Sequence, residues 1–213
     1  MSLPQLLQVC WKGLIVTVQA TIVGAVLAYV LGLVIAILKM SGNKAVAFIT
    51  YWSSEFIRRT PLLVQLYFLF YVLPDFGIFL SPFVAGVIGL GLHFSTYTSE
   101  VYRAGIENVP KGQWEAARSL NYSAYHTWRF VILPQAIPPM FPPLANYLIT
   151  MFKETPLLSA ITVVELFNAA NIYSNSHYKY LEPMTLVGLF FLLVSIPAAM
   201  IALKIENKYK PLN

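Results

Sequence analysis

The stretch Glu115-Ala-Ala-Arg-Ser-Leu-Asn121, followed after nine residues by Val131-Ile-Leu-Pro134, decides how this chain folds. It is charged and amphipathic, and it lies between two long apolar runs, residues 83–101 and 133–152. Charged side chains are costly inside a bilayer, so a polar segment between two such runs lies outside the hydrocarbon. The sequence is therefore one in which apolar, membrane-crossing segments alternate with polar connections.

Five apolar runs are each close to the roughly 20 residues that a helix needs to cross a bilayer. They cover residues 14–38, 61–80, 83–101, 133–152 and 184–203. Hydrophobic residues make up 58% of the 213-residue chain and charged residues 11%, with a mean hydropathy of +0.66, which is abnormal for a soluble domain. Backbone groups in lipid must be paired internally, and the sequence lacks the short alternating segments of a barrel. We therefore predict a single-domain (1–213), all-α membrane protein with about five transmembrane helices.

The basic residues predict the orientation of these helices. With the amino terminus outside, eleven Lys and Arg side chains fall in cytoplasmic segments: Lys39, Lys44, Arg58, Arg59, Arg103, Lys111, Arg118, Arg129, Lys204, Lys208 and Lys210. Only three, Lys12, Lys153 and Lys179, fall outside. Because basic residues accumulate on the cytoplasmic side, we predict an external amino terminus and a cytoplasmic carboxyl terminus. The net charge of +5 then reflects topology and contact with anionic lipid headgroups, and no basic, aromatic-interleaved surface indicates nucleic acid binding.

Two patterns predict how the helices pack. Ala20, Gly24, Ala28, Gly32 and Ala36 recur every four residues in the first run, forming a ridge along which another helix can approach closely. Such a ridge serves packing within one subunit and contact with a second subunit equally well.

Prolines are dense where the fourth run begins, at Pro134, Pro138, Pro139, Pro142 and Pro143. Only the first of them can occupy the opening turn of a helix without removing an internal hydrogen bond, so this helix must start irregularly or bend. Irregular backbone at membrane depth is tolerated where protein or a water-filled cavity covers it. We therefore expect this segment to line a path or an interface.

The opening stretch resembles the signature loop of ABC-importer permeases, whose pattern is Glu-Ala-Ala, three residues, Gly, nine residues and Ile-x-Leu-Pro. The matching residues are Glu115, Ala116, Ala117, Asn121, Val131, Leu133 and Pro134, with Asn121 in place of Gly and Val131 in place of Ile. Residues 59–65, 103–106 and 110–115 further resemble the polar amino acid branch of that family. The resemblance covers nearly the whole chain. It predicts left-handed backbone at Asn121, since asparagine is among the few residues other than glycine that tolerate positive φ.

The resemblance implies a type I ABC importer permease (MetI-like) fold in a bacterial inner membrane. It also implies two permease subunits, identical or homologous, two cytoplasmic ATPase subunits and an extracytoplasmic solute-binding protein. Residues 105–133 would form the cytoplasmic coupling loop, in which Glu115, Ala116 and Ala117 begin a short helix that docks on the ATPase. No Gly-x-x-x-x-Gly-Lys-Ser/Thr loop is present in the sequence. We therefore expect no cofactor in this chain, which would be a transport subunit and not an enzyme, with ATP and Mg²⁺ bound by the partner ATPase.

Polar residues inside the third run are candidates for contact with solute. His93, Ser95 and Glu100 lie in a segment where an ionisable group needs a partner or a wet cavity. A histidine hydrogen-bonded to a neighbouring helix is an equally good interpretation of His93. Glu100 could instead pair with Arg103 or Arg58.

Residues 153–159, Lys-Glu-Thr-Pro-Leu-Leu-Ser, resemble the Lys-Asp-Thr-Ser-Leu motif of polar amino acid permeases. The resemblance points to Glu154, Thr155 and Ser159 as substrate-binding residues. A carboxylate in a low-dielectric cavity could receive an ammonium group through charge-assisted hydrogen bonds. The alternative for Glu154 is a surface ion pair with Lys153, which would be weak.

The residues and the resemblance together predict a permease subunit of an ATP-driven importer for polar amino acids or related small solutes, which works by alternating access. A secondary carrier or channel that needs no ATPase is the alternative. Such a carrier predicts inverted repeats, which the five runs do not show.

Overall fold

The computed structural model describes residues 3–209, the side chains of Lys208 and Tyr209 excepted, and this part of the chain contains helices and no strand. We number eight helices, of which α3 and α6 are compound: α1 Leu3–Lys39, α2 Lys44–Arg59, α3 Leu62–Phe76, α4 Pro82–Glu107, α5 Lys111–Ser119, α6 Ala124–Ile161, α7 Leu166–His177 and α8 Leu181–Tyr209. The predicted all-α class is confirmed.

The centre of the fold is the pair α1 and α4, which make the most extensive contact between helices. Ala20, Gly24, Ala28, Gly32 and Ala36 are all buried in this part of α1. A Cβ built on Gly32 would lie 2.0 Å from Thr98 Oγ1, and one built on Gly24 would lie 3.3 Å from Leu90 Cβ, both on α4. The predicted ridge of small residues therefore packs within this subunit, where it allows two helices to approach closely.

The connection from α2 to α3 is a sharp bend of 101°. Thr60 precedes Pro61, and steric clash with the proline ring disfavours helical backbone at the preceding residue. Thr60 accordingly adopts φ −96° and ψ 141°, and α2 ends at Arg59. The proline thus fixes a corner in the fold, and this corner borders the cavity described below.

The predicted irregularity of the proline-dense helix is confirmed. Within α6, Thr127–Ile132 is π-helical, Pro138–Met140 is 3-10 helical, and the helix ends in a 3-10 segment, Thr155–Ile161. Prolines lack the N–H that an α-helix interior requires, so the hydrogen-bond pattern changes around them. From α6 the chain turns by 48° into α7.

Two helices of the described chain, Leu3–Lys39 and Leu181–Asn207, are long and apolar enough to cross a membrane alone, and counting each bent pair as one span raises the number to four. The five predicted runs also include α4. At about 1.5 Å per residue its 26 residues suffice in length. Polar residues in its second half, His93 to Glu100, keep it below the apolarity of the other spans.

Residues 171–180 are polar and aromatic, a composition that predicts an external loop. This prediction is wrong for most of the segment, because α7 continues to His177. Glu165 accounts for this helix: its buried carboxylate accepts hydrogen bonds from the backbone N–H groups of Phe167 and Asn168, both at 2.8 Å. A carboxylate at this position is a strong N-cap and complements the helix dipole.

Candidate functional sites

A cavity of about 420 Å³ lies where the α2–α3 bend meets α4 and the end of α6. Its lining contains cationic side chains, a carboxylate and an imidazole. The lining residues are Arg58, Arg59, Thr60, Pro61, Leu62, Leu63, His93, Tyr97, Glu154 and Leu157. The structure thus brings together two predicted site residues, His93 and Glu154, that are far apart in the sequence. It also places Arg58 and Arg59, assigned above to the cytoplasm, in the same cavity as Glu154, which follows the externally assigned Lys153. The prediction that puts these groups on opposite sides of the membrane is therefore wrong, although the other basic residues still favour the same orientation.

Glu154 ends the α-helical part of α6 with a half-buried side chain. Its Oε2 atom is buried and has no hydrogen-bond partner. No ion pair joins Glu154 to Lys153 among residues 3–209, and Lys153 is exposed, so the alternative of a surface pair is absent from the structure. A buried carboxylate oxygen without a donor is costly, which suits a site where a ligand supplies the donor.

His93 is 8% exposed and lies on α4 opposite the bend. Its Nδ1 atom is 3.2 Å from Gln65 Oε1 on α3. The imidazole also contacts Tyr97, with the ring centroids 5.3 Å apart. The helix contact predicted as the alternative role of His93 is therefore present, and the ring borders the cavity as well.

The other predicted polar residues of the site lie apart from this cavity. Ser95 is fully buried and donates to Leu92 O at 2.7 Å, Thr155 is fully buried and donates to Phe152 O at 2.8 Å, and Ser159 donates to Pro156 O at 2.6 Å. None of the three lines the cavity. Their hydroxyls satisfy helix carbonyls, as Ser and Thr commonly do.

Glu100 belongs to a separate charged cluster. Its carboxylate pairs with Lys39 at the end of α1 and with Arg103 one turn along α4, both at 2.7 Å. Arg103 also pairs with Glu107 at 2.5 Å. Of the two partners expected for Glu100, Arg103 is confirmed, and Lys39 takes the place of Arg58. The cluster ties α1 to α4 just before the chain enters α5.

His93 and Glu154 were predicted as site residues, whereas Arg58, Tyr97 and Gln65 were not. Arg58 and Gln65 could have been identified from the sequence, because residues 59–65 resemble a family motif that ends at Gln65 and immediately follows Arg58. The signal for Tyr97 is its position one helical turn after His93, which places both rings on one face of α4.

The predicted coupling loop, residues 105–133, is largely helical. Within it α5 packs on the first turns of α6, where Trp114 and Trp128 meet edge to face with centroids 5.2 Å apart. Glu115 and Ala116 are exposed, whereas Ala117 is only 2% exposed. Ala117 therefore faces its own subunit, and Glu115 and Ala116 are the motif residues open to a partner.

Asn121 lies two residues after the end of α5 and has φ 51°, which confirms the predicted left-handed backbone. Its N–H donates to Arg118 O at 2.9 Å, and the N–H of Tyr122 donates to Ala117 O at 3.1 Å. This pair of bonds is a Schellman motif, which satisfies carbonyls at a helix end. Leu133 is half-buried and Pro134 is exposed, and both lie directly after the π-helical segment of α6.

Comparison with known proteins identifies the family to which this chain belongs. Residues 3–210 match the family of binding-protein-dependent transport system inner membrane components. A probable amino-acid ABC transporter permease, y4tG, of Sinorhizobium fredii is 46% identical over 197 residues, covering 92% of this chain and 84% of the relative. A putative glutamine transport system permease of Rickettsia prowazekii is 35% identical over 198 residues, covering 92% of this chain and 91% of the relative.

One solved structure has the same fold as this chain along nearly the whole length of both chains. It is the crystal structure of an amino acid ABC transporter with histidines, with a TM-score of 0.89, 35% identity and coverage of 94% of both chains. Since the match covers 94% of this chain, the helical architecture described above is that of an ABC importer permease. The chain is a member of the family of binding-protein-dependent transport system inner membrane components, and its helices are those of a multi-pass bacterial membrane protein.

Proposed function

We propose that this chain is the permease subunit of an ATP-driven importer of polar amino acids, and that the cavity at the α2–α3 bend is where the solute passes. The observation that carries the proposal is the unpartnered, buried carboxylate oxygen of Glu154 in a cavity also lined by Arg58 and Arg59. The cavity volume falls in the range usual for small-molecule sites, about 300–1,000 Å³. Relatives named for amino acid and glutamine transport support the substrate class.

The charges of the cavity suit a zwitterion. A guanidinium matches the geometry of a carboxylate and can bind it through two parallel hydrogen bonds. In the structure both guanidinium groups pair with Glu55. On solute binding Arg58 or Arg59 would exchange this carboxylate for the α-carboxylate of the solute, and Glu154 would take the α-ammonium group. Each charged group of the amino acid would then pair with an opposite charge, which offsets the cost of its desolvation in the cavity.

The proposed machine contains two permease subunits, identical or homologous, two cytoplasmic ATPases that bind ATP and Mg²⁺, and an external solute-binding protein. The amino terminus of this chain would be outside and its carboxyl terminus in the cytoplasm. Nucleotide-driven closure of the ATPases would shift the transmembrane helices between two states, which is how alternating access moves a solute. Family membership supports this arrangement over an ATPase-independent carrier.

Reconstitution tests the proposal. The permease, its ATPase and its binding protein are placed in proteoliposomes, and uptake of radiolabelled L-glutamine and L-histidine is measured with and without ATP. We expect uptake that requires ATP, the ATPase and the binding protein. Uptake that persists after the ATPase is omitted would support the carrier or channel alternative and refute the importer.

Coupling would run through α5, and a matched pair of variants separates docking from folding. Ala116 is exposed, so Ala116→Arg should leave the permease folded but block close approach of the ATPase. Ala117 is buried, so Ala117→Arg should destabilise the permease itself. The measurements are melting temperature, co-purification of the ATPase, and ATP hydrolysis stimulated by loaded binding protein. Normal stimulated hydrolysis in Ala116→Arg would exclude this face of α5 from the coupling surface.

A further inference from the structure

The side-chain amide of Gln65 is held at the α2–α3 bend by three acceptors. Its Nε2 atom is 2.7 Å from Ile57 O, 3.1 Å from Thr60 O and 2.8 Å from Thr60 Oγ1. Carbonyl oxygens only accept hydrogen bonds, so only the NH₂ end of the amide can face them. The chemistry of the bend therefore fixes which end of the Gln65 amide points where.

The other end of the amide then determines the state of His93. Gln65 Oε1 is 3.2 Å from His93 Nδ1, and an amide oxygen accepts and never donates. Nδ1 must therefore carry a proton. The ring is only 8% exposed, and burial disfavours its charged form. A neutral imidazole has one N–H, so with Nδ1 protonated its Nε2 atom is a bare acceptor.

The unprotonated Nε2 atom of His93 is an acceptor without a donor. Nε2 has no hydrogen-bond partner in the part of the chain that the structure describes, and His93 lines the cavity that Glu154 also lines. Contacts with Phe94 and Tyr97, at centroid distances of 5.6 and 5.3 Å, restrict the ring. The cavity therefore offers a solute two acceptors, one from an imidazole and one from a carboxylate.

We propose that Gln65 is a positioning residue that holds His93 as the Nδ1–H tautomer, so that Nε2 accepts a hydrogen bond from an N–H group of the solute. The proposal rests on the proposed function of the cavity as the solute path. It identifies the substrate class as solutes that present N–H donors to this region, and it disfavours analogues in which an oxygen acceptor replaces that N–H. An acceptor opposite another acceptor leaves both without a partner, which costs affinity.

A structural link between α3 and α4 is the competing explanation of the Gln65–His93 contact. Two isosteric variants separate the explanations. In His93→Asn the amide lies near the position of Nδ1, so it can keep the bond to Gln65 but removes the group at Nε2. In His93→Gln the longer amide reaches the position of Nε2 but gives up the bond to Gln65.

Uptake of L-glutamine and L-histidine by the reconstituted complex is the functional measurement. We expect His93→Asn to raise KM at least about fivefold in a complex that still assembles, because a hydrogen bond to the solute is lost, and His93→Gln to retain more transport than His93→Asn. Wild-type KM in His93→Asn, with loss only in His93→Gln, would show that the histidine is structural. That result would overturn the inference while leaving the importer function intact, whereas absence of ATP-dependent uptake in the wild type would refute the function itself.

Nitrogen NMR reads the tautomer directly. The complex is labelled with ¹⁵N-histidine, and the signals that disappear in His93→Asn are assigned to His93, one of three histidines in the chain. We expect a protonated Nδ1 and an unprotonated Nε2 in the wild type, and a mixture of tautomers in Gln65→Met, which lacks the amide acceptor. An Nε2–H tautomer or a doubly protonated ring in the wild type would overturn the proposal, as would an unchanged tautomer in Gln65→Met.

Discussion

The two long helices α1 and α6 are both apolar, yet they are built in opposite ways. α1 is one uninterrupted α-helix of 37 residues, whereas α6 passes through π-helical and 3-10 segments between Ala124 and Ile161. α1 buries its small residues against α4. α6 begins beside α5, in the predicted coupling loop, and near its other end it contributes Glu154 to the cavity. The regular helix forms the packed centre of the subunit, and the irregular one connects its two candidate functional sites.

The difference follows from proline and glycine placement. Beyond Pro4 in its first turn, α1 contains no proline, and its glycines lie where another backbone or side chain comes close. Because α6 begins at Ala124, Pro134 does not lie in its opening turn as predicted, and both Pro134 and Pro138 lack N–H groups that an α-helix interior would use. Breaks in a helix of this kind have identifiable causes, and here the cause is visible in the sequence.

The largest loss of stability is expected when a proline, the cause of the irregularity of α6, is introduced into the middle of α1. Val26 has a side chain 59% exposed on the outer face of α1, so Val26→Pro changes the backbone with little change in packing. Loss of one hydrogen bond and the clash with the preceding turn should cost about 3 kcal/mol or more. The melting temperature of the purified permease measures this, with Val26→Ala as the control. Equal melting of the two variants would show that α1 tolerates a break and that the contrast with α6 is not essential.

A smaller loss is expected from overfilling the contact between α1 and α4. In Gly32→Leu the new side chain would meet Thr98 Oγ1, which donates to Ala28 O at 2.9 Å, and that hydrogen bond would be disrupted. Overpacking of this kind costs about 1–3 kcal/mol. Gly188→Leu on α8 is the matched control, because a Cβ at Gly188 has nothing within 4 Å. If Gly32→Leu melts no lower than Gly188→Leu, the close approach of α1 and α4 is not required.

The smallest effect is expected at the turn that leads into α6. Asn121→Val places a β-branched residue at φ 51° and should cost about 1–2 kcal/mol, whereas Asn121→Gly should be nearly silent. Thermal melting compares the two variants, and stimulated ATP hydrolysis shows whether the change reaches the coupling surface. Full stability in Asn121→Val would mean that the Schellman turn is not needed to hold α5 against α6.

Much of this contrast could be predicted from the sequence, because its causes are local. The four-residue spacing of alanine and glycine indicated a packing ridge on α1, and the run of prolines indicated a broken helix. Positive φ at Asn121 followed from its place in the motif. These features depend on the backbone preferences of one residue or on the spacing along one helix.

The parts that could not be predicted depend on which elements meet. The choice of α4 as the partner of the α1 ridge requires the tertiary fold. The burial of Ala117 depends on how α5 packs on α6, and no pattern distinguished it from Ala116. The α7 helix lay in a segment rich in Asn, Ser and Tyr, which favours a loop, but the Glu165 N-cap and burial of Leu166, Ala169 and Ala170 favour the helix.

Replacement of Glu154 tests the central claim most directly, because the proposed function rests on its unpartnered carboxylate. The measurement is ATP-dependent uptake of L-glutamine and L-histidine by proteoliposomes that contain Glu154→Gln, with Glu182→Gln, an exposed acidic residue on α8, as the control. A charge-assisted hydrogen bond is worth about 1.5–3 kcal/mol, so uptake efficiency should fall by about 10- to 100-fold in Glu154→Gln. Assembly and melting temperature should stay unchanged, and Glu182→Gln should transport normally. Wild-type uptake kinetics in an assembled Glu154→Gln complex would contradict the account.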